Sequence, residues 1–130
     1  MNITKEFRLI LPNKPGELAR ICEALAKHEV NIRSIAGIAG TLPVMAITTE
    51  QEDGARDALK ELGIDFQELE LIIIKLTDVP GELAFFTRKL ADANINIESI
   101  YMLGELAGEG KIGLTVTVND IDKAKKLLAS

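Results

Sequence analysis

Apolar positions along this chain alternate between a period of two and a period near 3.6, and the order of those stretches repeats. Phe7, Leu9 and Leu11 share one phase and stop at Pro12, which predicts a strand over 4–11. Leu18, Ile21, Cys22, Leu25 and Ala26 then recur at helical spacing, predicting a helix over 15–28. Asn13 is its expected N-cap, Pro15 suits the first turn, and Glu17 sits where the helix dipole favours an anion. Val30–Ala39 alternates loosely up to Gly37 and Gly40, and Met45–Thr49 follows Pro43 as the next strand. Ala55, Ala58, Leu59 and Leu62 form the stripe of a helix over 52–62, with Gly63 as C-cap. From Ile64 to Leu76 the pattern is strand-like throughout. Ile64 and Phe66 close a first unit there, and Leu71–Leu76 opens a second.

The second unit repeats the first. A helix over 80–93 turns Leu83, Phe86, Leu90 and Ala91 inward and leads to a strand over 95–104. A glycine-rich turn (Gly104, Gly108, Gly110) precedes a strand carrying Ile112, Leu114, Val116 and Val118. Asn119 or Asp120 then caps a helix bearing Ile121, Ala124, Leu127 and Leu128. Asn13-Lys-Pro-Gly-Glu-Leu-Ala19 returns 65 positions later as Asp78-Val-Pro-Gly-Glu-Leu-Ala84, and aligning 13–37 with 78–102 gives 11 identities in 25. A period of that length marks a duplicated structural unit. The expected fold is α+β: two tandem ferredoxin-like βαββαβ units, 1–69 and 70–130, with antiparallel sheets and helices on one face. The second unit stops without its last strand.

Composition narrows the function. A net charge of -5 argues against a nucleic-acid partner, which Lys and Arg would have to neutralise. Four Phe and one Tyr are also too few for an RNA-binding sheet, and Glu98 and Glu105 oppose a basic face. The longest apolar run, Leu71–Ile74, is far too short to span a bilayer, and the N-terminus lacks the pattern of a secretion signal. A cytoplasmic protein is expected. Units this small bury limited cores, so pairing between units or copies, as in a homodimer, is expected too.

No catalytic residue, metal site or cofactor is expected. Cys22 and His28 are the only residues of their kinds and do not share a helix face. The segment Gly104–Lys111 misses phosphate-loop spacing by one residue and has Ile112 where a hydroxyl is needed. The pairs Glu52/Asp53 and Asp120/Asp122 stand at helix starts, where carboxylates meet free amides, and Lys123, Lys125 and Lys126 form a solvated face.

The repeated turn carries the chemistry. At a helix start the first backbone N–H groups lack helical partners and have the positive dipole end behind them, so a small carboxylate can sit there. Gly16 and Gly81, after Pro15 and Pro80, leave its approach clear. Asn13 or Asp78 can accept from an ammonium group, and Asn31 or Asn96, eighteen residues on, can donate and accept. A carboxylate site beside an ammonium site describes a free amino acid. Leu18, Ile32, Leu83 and Ile97 suggest an aliphatic or aromatic side chain. The competing explanation is ordinary helix capping with no ligand at all.

At these residues the chain resembles the ACT domain family, small regulatory modules of enzymes such as phosphoglycerate dehydrogenase, aspartate kinase and acetohydroxyacid synthase. The Asn/Asp-x-Pro-Gly-x-Leu turn and the downstream Asn-Ile, both doubled, carry the resemblance over nearly the whole chain. It implies βαββαβ units that pair side by side and hold effectors, usually amino acids, at the pairing interface. In the serine-binding members the two asparagines that match Asn13 and Asn31 hold the effector; Asp78 and Asn96 match them in the second copy. Leu11 and Leu76 stand where a further serine-binding histidine would fall, which argues against serine. The resemblance implies a stand-alone tandem regulator that binds an amino acid and modulates a separate metabolic enzyme. The alternative is an interaction or dimerisation subunit that binds no small molecule.

Overall fold

Nine residues of alternating phase, Asn2–Ile10, form the first strand (β1), and Pro12, which has no N–H to donate, follows its end. The computed structural model describes residues 1–106 and 110–129. After β1 come α1 (Glu17–Lys27), β2 (Ile32–Ile38), β3 (Val44–Thr49), α2 (Glu52–Glu61) and β4 (Phe66–Thr77). The second half runs α3 (Glu82–Asp92), β5 (Ile97–Leu106), β6 (Lys111–Val118) and α4 (Ile121–Leu128). The fold is α+β with antiparallel strand pairing, as expected. Of the expected glycine-rich turn, Gly104 ends up inside β5, Gly110 has a φ of 63°, and Gly108 lies outside the described residues, as does Ser130.

Two compact units are present: Lys5–Leu69, and Glu70–Ser130 together with Met1–Thr4. The four N-terminal residues thus stand with the later segment, although sequence order assigns them to 1–69.

In the first unit β3 lies between β2 and β1 and is antiparallel to both, so β1 and β2 run parallel. Phe7, Leu9 and Leu11 bury one face of β1 against Ile21 and Leu25 of α1 and Ala55, Ala58 and Leu59 of α2. Phe66 packs edge-on against Phe7 with ring centroids 5.8 Å apart. Over that ring lies the Arg56 guanidinium, 5.9 Å from the centroid, which also grips Glu68 through two hydrogen bonds of 2.8 and 2.6 Å. In the second unit β6 lies between β4 and β5. Ile72, Leu76, Leu114 and Val116 pack against Phe86 and Leu90 of α3 and Ala124 of α4.

The sheet face opposite the helices carries polar residues that are nonetheless buried or half-buried. Glu6 is fully buried and bonded by Arg8 at 2.6 and 3.0 Å. The Ser34 and Thr48 hydroxyls bond each other, and Ser99 bonds Thr117 at 2.6 Å in the second unit. Pairing of this kind offsets the desolvation cost of burying a hydroxyl.

Candidate functional site

The repeated Pro-Gly stretch folds into the same pair of turns twice. In the first copy the Lys14 N–H donates to the Pro12 carbonyl at 3.0 Å, which closes a γ-turn centred on Asn13. The Glu17 N–H then reaches the Lys14 carbonyl at 3.4 Å around Pro15 and Gly16. With Pro at the first central position and Gly16 at φ 92°, ψ -16°, this is a type II turn. In the second copy Val79 N–H donates to Thr77 at 2.9 Å, Glu82 N–H to Val79 at 3.4 Å, and Gly81 has φ 94°, ψ -15°.

This geometry corrects the expected helix start. Gly16, not Asn13, occupies the N-cap position of α1 and Gly81 that of α3, and neither helix receives a side-chain capping bond there. The reason is the γ-turn, which holds Asn13 and Asp78 three residues upstream, outside capping range. Each glycine serves a backbone that an L side chain rarely adopts, and a Cβ at either position would meet nothing within 4 Å. The space on the Cβ side of each glycine is open. Arg20 N–H makes the first helical bond of α1, to Gly16 at 3.0 Å, and Phe85 N–H does so for α3, to Gly81 at 2.9 Å.

Beside the first turn lies a cleft of about 410 Å³. Its floor and walls are apolar: Leu11, Leu18, Ile35, Ile38, Val44 and Met45. Asn13, Lys14 and Glu17 form a polar rim, with Lys14 Nζ 4.0 Å from one Glu17 oxygen and Arg20 Nη2 3.2 Å from the other. An apolar recess with a few convergent polar groups is the usual form of a small-molecule site. Leu18, on the apolar stripe of α1 and among the expected site residues, is 44% exposed and lines this cleft. Leu83, its counterpart, is also exposed.

The other expected site residues divide. Pro15, Gly16, Pro80 and Gly81 shape the turns without lining the cleft. Ile32 and Ile97 pack against the two cores. Asn31 and Asn96 are exposed at the starts of β2 and β5, each held by its backbone. Asn31 N–H bonds Gln51 Oε1 at 2.7 Å, and Asn96 N–H bonds Asn119 Oδ1 at 2.9 Å. Within the first unit Asn13 and Asn31 do not meet. Ile10 and Ile38 both pair with Val44 at the turn end, whereas Ile32 pairs with Thr49 at the other end. At about 3.3 Å per residue the run from Ile32 to Ile38 spans about 20 Å. Sequence reading missed Ile35, Gly37, Ile38, Val44 and Met45 as lining residues, because only strand pairing brings the β2–β3 hairpin beside the turn.

Residues 6–64 match the sequence model of the ACT domain. Those residues are an ACT domain. The match runs from within β1 to just past α2 and includes every residue that lines the cleft. An aspartokinase of Corynebacterium efficiens is 28% identical over 91% of this chain, which spans only 31% of that relative's length. Two solved structures share the fold. A Bacteroides thetaiotaomicron protein superimposes with a TM-score of 0.85 at 23% identity, covering 98% of this chain and 87% of that one. The ligand-free regulatory subunit of aspartate kinase from Thermus thermophilus gives 0.66 at 19% identity, covering 98% and 89%.

Among the described residues no cluster of three or more side chains could hold a metal ion, and no helix is long and apolar enough to cross a membrane.

Proposed function

We propose that this chain is a cytoplasmic regulatory module of two ACT units that binds a free amino acid and modulates a metabolic enzyme. The observation that carries the reading is the cleft at Asn13. The first residue of α1, Glu17, an asparagine that caps no helix and an apolar recess lie together there, and we read them as places for carboxylate, ammonium and side chain in turn. With Asn13 released from capping, the purely structural explanation of that residue loses its support.

The partner is a second copy as well as an enzyme. β2 ends the strand order of the first unit and leaves Ile35 and Ile38 exposed. Antiparallel pairing of two β2 strands would bring Asn31 of the partner subunit alongside Ile38, at the mouth of the cleft. A ligand bridging that contact would favour the paired arrangement by its difference in affinity for the two states. Likeness to segments of aspartokinases makes an enzyme of that class the first candidate for regulation. The second reading is a dimerisation module without ligand, supported by the same exposed apolar strand.

Melting temperature measured with each of the twenty amino acids at millimolar concentration separates the two. A ligand that binds only the folded state raises it by mass action. At least one amino acid is expected to do so, and Asn13→Ala to reduce that shift. If none changes the melting temperature, the amino-acid reading fails and the dimerisation reading stands.

A further inference from the structure

The two units share their turn but not the residues beside it. Residues 10 and 75 correspond in the repeat; Ile10 pairs with Val44 and Lys75 with Gly113, so Met45 and Leu114 occupy equivalent places in β3 and β6. Across from Met45 in β2 stands Gly37, and across from Leu114 in β5 stands Met102. One position therefore carries no side chain in the first unit and a long thioether in the second. The first unit uses that vacancy. A Cβ at Gly37 would lie 2.9 Å from Met45 Cε and 3.1 Å from its sulfur, so the Met45 tip rests against the glycine and forms part of the cleft wall.

The mouths differ as well. In the first unit Lys14 faces Glu17 across the rim, beside the neutral Asn13. In the second, Asp78 replaces Asn13 and an exposed Val79 replaces Lys14, with Glu82 still in the first turn of α3. A carboxylate approaching the amides of α3 meets two acidic side chains at the turn, Asp78 and Glu82, whereas one approaching α1 meets a Glu17 already paired with Lys14 and Arg20.

We infer that the chain binds one effector, in the first unit only, and that the effector is an amino acid with an aliphatic or thioether side chain. The second unit keeps the fold of the turn and has lost the ligand. This rests on the amino-acid-binding reading above. The apolar walls reject polar side chains because their hydrogen bonds to water would go unreplaced.

Isothermal titration with each of the twenty amino acids tests it, with L-leucine, L-isoleucine, L-valine and L-methionine as the first four and L-serine and L-lysine as polar probes. One site per chain is expected for at least one of the first four, with serine and lysine at least tenfold weaker. Gly37→Met should abolish binding, and Met102→Gly should leave one site per chain. Ile38→Asp, at a position 78% exposed and so harmless to folding, should weaken binding at least tenfold. Melting curves without ligand check that each variant folds. Two sites per chain, equal affinity for serine or lysine, or an Ile38→Asp variant that binds like the parent would each overturn the inference while leaving amino-acid binding intact. Absence of binding by all twenty amino acids would instead remove the reading on which it rests.

Discussion

Gly16 offers the sharpest test of the local physics, because its substitution separates backbone strain from steric clash. The residue holds φ 92° at the third position of a type II turn, and a Cβ there touches nothing within 4 Å. Alanine would therefore cost only what an L residue loses at positive φ, roughly 1–2 kcal/mol. Stiffening of the unfolded chain returns about 0.4–1 kcal/mol. The net expectation for Gly16→Ala is a loss of about 1 kcal/mol, or a melting temperature lower by about 4–8 °C for a unit of this size. Gly40→Ala is the control: it too has open space around its Cβ, but its φ is not in the positive region, so it should be neutral or slightly stabilising. Asparagine tolerates the left-handed region better than alanine, so Gly16→Asn should recover part of the loss. Thermal unfolding followed by circular dichroism suffices. If Gly16→Ala melts with Gly40→Ala at the parent temperature, the turn does not constrain the helix start as argued.

Other expectations follow from burial and charge. Leu25 is 1% exposed between α1 and the sheet, and Leu25→Ala should cost about 2–5 kcal/mol in urea denaturation. The hydroxyl of Thr49 is buried without a hydrogen-bond partner, so Thr49→Val should leave stability unchanged or raise it by about 1 kcal/mol; a clear loss would mean the hydroxyl is satisfied. The Arg56 hydrogen bonds hold the Glu68 carboxyl below its ordinary value, so the charged form is favoured by folding. That contribution is present above the unfolded carboxylate range and disappears as pH falls through the depressed folded value. Urea midpoints measured from neutral pH down through the acid range should show a shallower decline for Glu68→Gln than for the parent.

Much of this architecture was legible along the chain. Alternation at Phe7, Leu9 and Leu11 marked β1, and helical spacing at Ile21 and Leu25 marked the buried face of α1, because both signals live within a few residues. Pro15-Gly16 and Pro80-Gly81 announced two turns of one kind, since their φ requirements are local, and the duplication displayed itself as identities. What the turn leaves free was not legible. Asn13 reads as a helix cap in any local window, and only the γ-turn bond from Lys14 to Pro12 shows that it is not one.

The chain alone thus determined the helices, the strands and the conformation demanded at Gly16 and Gly81, through periodicity and the chemistry of short-range turns. Tertiary structure decided the rest: the cleft between the turn and the β2–β3 hairpin, the burial of Glu6, and the separation of Asn31 from Asn13. The physical reason is strand pairing. Hydrogen bonds between β2, β3 and β1 relate Gly37 to Met45 and Ile38 to Ile10, residues whose spacing along the chain carries no local signal.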